Sequence, residues 1–125
     1  DGRAHPAADA AHNSRNSLDW AGVYRGVLPC ADCEGIETIV TLHPDGRYAA
    51  SARHLGKNDK PFTEEGAFQW DSAGSVITFS GREPARYRVA ENQLVRLALD
   101  GSPITGELAD HYVLAKSTDA ITEKY

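Results

Sequence analysis

Apolar and polar residues alternate with a period of two along most of the chain from Trp20 onward, in short runs separated by turn residues. That period puts successive side chains on opposite faces of an extended strand, and no stretch shows the sustained three-to-four-residue period of a helix. The runs cover residues 23–28, 36–42, 47–55, 62–70, 76–79, 85–89, 94–99 and 111–116. In the second, Ile36, Thr38, Val40 and Leu42 share a face; in the fourth, Phe62, Gly66, Phe68 and Trp70 do. The connections carry turn chemistry. His43-Pro44-Asp45-Gly46 combines a proline-fixed dihedral with an Asp-Gly reversal, and Asp71-Ser72-Ala73-Gly74 and Ala90-Glu91-Asn92 are further short turns. Asp100-Gly101-Ser102-Pro103 ends the seventh run, and Gly56-Lys57-Asn58-Asp59-Lys60-Pro61 reads as a polar loop.

About eight short strands with hairpin-length connections and no crossover helices predict an all-β fold with sequential neighbours paired antiparallel. Up-and-down order favours a small closed barrel, which removes exposed sheet edges. A two-sheet sandwich is the competing arrangement. A barrel of about eight strands is just wide enough to be filled by side chains or to hold one small ligand. The third run contains Ala49-Ala50-Ser51-Ala52, so it leaves space. Tyr24, Tyr48, Phe62, Phe68, Trp70, Phe79, Tyr87 and Tyr112 all fall on strand runs. They are expected in the core and at the barrel ends, where some could line a pocket.

Before Trp20 the alternation is absent. Residues 1–19 are mostly Ala, Asn, Ser, Asp and His, too poor in large apolar side chains to offset the entropy of ordering. They are expected to be a flexible tether, with the barrel domain at residues 20–117 and a polar tail at 118–125. The chain starts at Asp1 with neither Met nor an apolar leader, as expected where a signal segment has been removed upstream. With 125 residues the chain fits one domain that can bury a core without crosslinks. A net charge of −5 and no Lys/Arg block argue against nucleic acid as a partner. No apolar run approaches the roughly 20 residues needed to span a bilayer.

The chain's two cysteines sit in Pro29-Cys30-Ala31-Asp32-Cys33-Glu34-Gly35. Two thiols so close can form a small disulfide, cycle between dithiol and disulfide, or bind a soft metal ion as thiolates. A structural zinc site normally takes four ligands, and there is no second cysteine pair. Thioredoxin-like chemistry expects the pair at a helix N-terminus beside a βαβ pattern. Here the pair joins two strands, and Asp32 and Glu34 would raise the thiol pKa. Thiolates select monovalent copper, so Cys30 and Cys33 are candidate Cu(I) ligands; a Cys30–Cys33 disulfide is the competing reading, and oxidising compartments favour it. His54, near the end of the third run, and His111, at the start of the last, are candidate additional ligands. His5 and His12 lie in the tether, and His43 sits in a turn. No nucleophile elbow and no Gly-rich phosphate loop appear, so no catalytic residues are assigned and the domain is not expected to be an enzyme.

The stretch Trp20-Ala21-Gly22-Val23-Tyr24-Arg25-Gly26-Val27-Leu28-Pro29-Cys30-Ala31-Asp32-Cys33-Glu34-Gly35-Ile36 resembles the signature of the N-terminal domain of the NlpE family, copper-resistance and envelope-stress lipoproteins of Gram-negative bacteria. The likeness continues through His43-Pro44-Asp45-Gly46-Arg47-Tyr48, Glu65-Gly66-Ala67-Phe68-Gln69-Trp70 and Glu91-Asn92-Gln93-Leu94, and ends near Tyr112-Val113-Leu114. The resemblance implies a lipocalin-like barrel in the periplasm, held to the outer membrane by a lipidated cysteine upstream of Asp1. It implies copper homeostasis and envelope-stress sensing through the CxxC loop, with an envelope-stress sensor protein as partner. Some members carry a further C-terminal domain with its own cysteine pair, and no cysteine follows Cys33 here. Two alternatives remain: a lipocalin-like binder of a small apolar ligand, and a ligand-free protein-interaction module.

Overall fold

The computed structural model describes residues 14–117. Residues 1–13, with His5 and His12, and the tail at 118–125 lie outside the described residues.

The expected hairpins pair into a closed antiparallel barrel with strands in sequence order. The strands are β1 (Gly22–Leu28), β2 (Gly35–Leu42), β3 (Arg47–Leu55), β4 (Asn58–Trp70), β5 (Val76–Phe79), β6 (Ala85–Ala90), β7 (Gln93–Leu97) and β8 (Val113–Ser117). Closure comes from β1 pairing with β8, Val23 opposite Ser117 and Arg25 opposite Ala115. A sandwich is thereby excluded: one continuous sheet leaves no free edge.

The alternating faces behave as the pattern requires. Tyr24 and Leu28 of β1, Val40 and Leu42 of β2, and Tyr48 of β3 turn inward and are buried. They meet Phe68, Ile77, Phe79, Tyr87, Val89, Leu94 and Leu114 in one core cluster. The turns follow their chemistry. Gly46 adopts φ +94° behind the β2–β3 reversal, and Asn92 adopts φ 61° between β6 and β7, a left-handed conformation that Asn tolerates better than most residues.

One expectation is corrected. Residues 58–61 belong to β4, and the β3–β4 turn is only Gly56-Lys57. The pairing register shifts between Ala52, opposite Phe62, and His54, opposite Asn58. Pro61 therefore falls in a bulge, where its missing N–H costs no ladder hydrogen bond.

The two barrel ends are built differently. At the end where β1 begins, a helical turn α1 (Ser14–Ser17) and Leu18 lead into Trp20. These residues lie in the stretch expected to be a tether, and they are docked: Arg15 donates its backbone N–H to Gly74 and Trp20 donates its indole N–H to the Arg15 carbonyl. Trp20 packs edge-on against Phe68 and Trp70, each with ring centroids 5.6 Å away. Tyr24 donates to the Trp20 carbonyl at 2.6 Å, and burial, then the charge of Asp19, pushes its phenol up to about 12. The other end carries the β1–β2 loop and a cavity.

Candidate functional site

The cysteine pair lies in the β1–β2 connection, between Leu28 and Gly35. Cys30 and Cys33 are joined in a disulfide with Cα atoms 5.4 Å apart. The Cys30 Sγ is 3.4 Å from Asp32 Oδ1 and the Cys33 Sγ is 3.4 Å from the Gly35 carbonyl. A disulfide sulfur has no proton to donate, so these are contacts. After reduction they would become acceptors for the two thiol protons and would favour the neutral thiols over the thiolates. As oxidised, the loop offers no thiolate and does not fit a soft monovalent ion. Cys30, Asp32 and Cys33 nonetheless hold their ligand atoms within 4.8 Å of one another.

The loop is fastened to the tip of the β3–β4 hairpin. The Glu34 N–H donates to the Leu55 carbonyl at 3.0 Å. The Lys57 ammonium pairs with Asp32, and this hydrogen bond first, then the Lys57 charge, holds the Asp32 carboxyl below the usual range. Both side chains are exposed, so the pair sets position more than it adds stability. Gly56 adopts φ +78°, and the Glu34 side chain lies where a Cβ at Gly56 would stand. Most residues there would be strained by that φ, and a Cβ would push the exposed Glu34 side chain aside.

Leu28 and Ile36, at the two roots of the loop, also line a cavity of about 180 Å³ inside this end of the barrel. Small inward residues create it. Ala50 lies opposite Val40 and Ala52 opposite Thr38, on the face where larger side chains would fill a barrel of this width. Tyr48 forms part of the wall: its ring stacks on Phe79 at 3.9 Å and lies over Gly66, where a Cβ would press on the ring. On the far wall stands Arg96. It pairs across the ladder with Tyr87 and sets its guanidinium 5.6 Å from the Tyr87 ring centre. Burial pushes the Tyr87 phenol up, and Arg96 partly offsets this.

At the rim, β4 runs on beyond its pairing with β5, which ends at Phe68–Phe79. A side chain bridges the gap. The Glu64 carboxylate accepts the backbone N–H groups of Arg82 at 2.7 Å and Glu83 at 3.3 Å. Gly81 lets the loop come this close, because a Cβ there would occupy the carboxylate's place.

The two histidines singled out in the sequence separate. His54 is half-buried in the cavity wall, and its charge contributes to lowering the Asp32 pKa. His111 is exposed in the short 3-10 turn Ala109–His111 that precedes β8. Neither joins the Cys30–Asp32–Cys33 group among the described residues.

Residues 24–107 match the NlpE N-terminal domain. The chain belongs to the NlpE family. The matched span holds the disulfide loop, the hairpin tip beneath it and every residue of the cavity, and it stops short of β8. Among relatives, lipoprotein NlpE of Escherichia coli K12 is 40% identical over 86 residues, which is 67% of this chain and 36% of that protein. The 17 kDa lipoprotein of Treponema pallidum is 31% identical over 110 residues, 77% of this chain and 69% of that protein. A crystal structure from Shewanella oneidensis, described as that of a lipoprotein, superposes with a TM-score of 0.79 at 50% identity, covering 85% of this chain and 96% of that one. The crystal structure of the Cpx pathway activator NlpE from Escherichia coli superposes with a TM-score of 0.56 at 34% identity, covering 69% of this chain and 46% of that one. This chain thus spans about a third of the Escherichia coli lipoprotein's length.

Sequence reasoning did not single out Arg96 as a site residue. The signal was its phase with Leu94, two residues earlier on the inward face, but Leu97 and Leu99 on the other phase point the apolar pattern the opposite way.

Proposed function

We propose that this chain is the barrel domain of an envelope lipoprotein, lipid-anchored to the outer membrane on its periplasmic side, that reports envelope stress to a sensor protein rather than catalysing a reaction. The observation that carries this reading is the likeness, in sequence and in fold, to an Escherichia coli lipoprotein described as a Cpx pathway activator. The disulfide loop and the hairpin tip fastened to it supply an exposed, shaped surface for such a partner.

The test is a Cpx-responsive reporter in an Escherichia coli strain lacking its own NlpE lipoprotein. The present chain is supplied behind a lipoprotein signal at graded doses. Reporter output should rise with dose. A flat response from chain that is folded and recovered in the outer-membrane fraction would contradict the reading.

Copper enters this proposal only through a reduced loop. Reduction would free two sulfurs that already sit beside each other, and two thiolates suffice for low-coordinate monovalent copper. Asp32 would be a poor third ligand, since a carboxylate prefers harder ions. Titration of reduced protein with Cu(I) against a competing chelator should show one tight site. That site should vanish in the Cys30→Ser, Cys33→Ser variant and in oxidised protein. Equal affinity in all three would remove copper from the account.

A further inference from the structure

The cavity combines features that specify a ligand. Much of its lining is apolar or small, with Ala50, Ala52, Phe62, Val40 and Ile36 among the residues, and His54, Glu64 and Glu83 lie among its polar ones. One side chain on its wall carries a full positive charge, Arg96. Among the described residues no carboxylate lies within ion-pair distance of that guanidinium, which sits 5.6 Å from the Tyr87 ring centre and hydrogen-bonds the Tyr87 side chain. Two acids lie on the cavity's rim: Glu64 is occupied in holding the β5–β6 loop, and Glu83 is exposed in that loop. A guanidinium against apolar walls has lost part of its hydration without gaining a counter-charge, an arrangement that favours an anion brought in from solution. Its planar fork suits a carboxylate or a phosphate, and the small space favours the smaller carboxylate head.

Size sets the rest of the molecule. A space of about 180 Å³ holds roughly six waters at about 30 Å³ each, and a methylene group takes similar room. That is small beside pockets for drug-sized ligands, which begin near 300 Å³. It matches a short hydrocarbon tail.

We propose that this end of the barrel binds a small anionic amphiphile, a carboxylate on a medium-length apolar tail. The carboxylate sits on Arg96 beside Tyr87, and the tail lies over Ala50 and Ala52. The inference is independent of the stress-reporting role, since it needs neither a partner protein nor the redox chemistry of the loop.

The test uses the full oxidised chain, titrated calorimetrically with sodium octanoate, octanol and sodium acetate. Octanoate should bind saturably at one site. Octanol, which has the tail without the charge, should bind at least tenfold more weakly, and acetate, which has the charge without the tail, should not bind measurably. Arg96→Gln should weaken octanoate by about tenfold to a hundredfold and erase its advantage over octanol, as expected for loss of a hydrogen-bonded charge. A role for Arg96 that is only structural would weaken both ligands alike. Ala52→Leu should abolish both while shifting the stability only slightly, in either direction. Absence of saturable octanoate binding, equal affinity for octanoate and octanol, or unchanged octanoate binding in Arg96→Gln would each overturn the proposal. Binding of octyl phosphate in preference to octanoate would overturn the choice of a carboxylate head.

Discussion

The two ends of the barrel are closed by opposite means. At one, Trp20, Phe68 and Trp70 interlock edge to face and Tyr24 ties the entering chain to the core through the Trp20 carbonyl. At the other, alanines stand where large side chains would fit, and a carboxylate bridges β4 to the β5–β6 loop where the strand ladder has ended. A disulfide loop sits above that opening, held by one backbone hydrogen bond and one exposed ion pair. Buried aromatic surface is the larger source of stability, so the plugged end can carry the fold. The other end is thereby free to keep a cavity and a shaped loop, the usual division between scaffold and site.

Substitutions can break this contrast, and they rank by size. Phe68→Ala removes the centre of the aromatic plug and is expected to cost about 3–5 kcal/mol in a denaturant melt. A loss under about 1 kcal/mol would mean that the plugged end does not carry the fold. The Cys30→Ser, Cys33→Ser pair should cost at most about 2 kcal/mol by the same measurement, because so short a crosslinked loop removes little unfolded-state entropy. Tyr24→Phe should cost about 1 kcal/mol near neutral pH through the lost hydrogen bond.

Tyr24 also has an alkaline signature. Its phenol keeps its proton up to about 12 in the folded chain, whereas an unfolded tyrosine ionises near 10. Its contribution is complete below about pH 10 and is lost as pH rises toward 12, because the unfolded state releases the proton first. Tyr24→Phe should flatten that decline, while Tyr48 and Tyr87, also raised chiefly by burial, preserve part of it. The smallest effect should be that of Ala52→Leu, within about 1 kcal/mol of the parent in either direction, because the added methyl groups enter existing space.

The fold was largely legible because alternation survives wherever one face is buried. Ile36, Thr38, Val40 and Leu42 announce a strand, and His43-Pro44-Asp45-Gly46 announces its turn. Residues 58–61 failed as a strand for a physical reason: they are polar and contain a proline, and only the bulge they form opposite β3 makes that sequence compatible with pairing. The cavity was half legible. Ala49 to Ala52 betrayed the space, but Arg96 hid within a strand whose two faces are both apolar in part. The cysteine pair was legible as a close pair in the loop between the first two strands, while its oxidation state was not, since residue spacing permits a disulfide and a dithiol alike. Packing of Leu18 also begins within the stretch that composition marked as a tether, because one large apolar residue is too few to alter an average.

The most direct test of the contrast is native-state hydrogen exchange on oxidised and reduced protein. Reduction should speed exchange at the Glu34 amide, bonded to Leu55, and at Lys57, bonded to His54, while amides of β1 and β4 beside Trp20, Phe68 and Trp70 keep their protection. Equal loss of protection at both ends would contradict the account, because it would show the disulfide loop and the aromatic plug to be one cooperative unit.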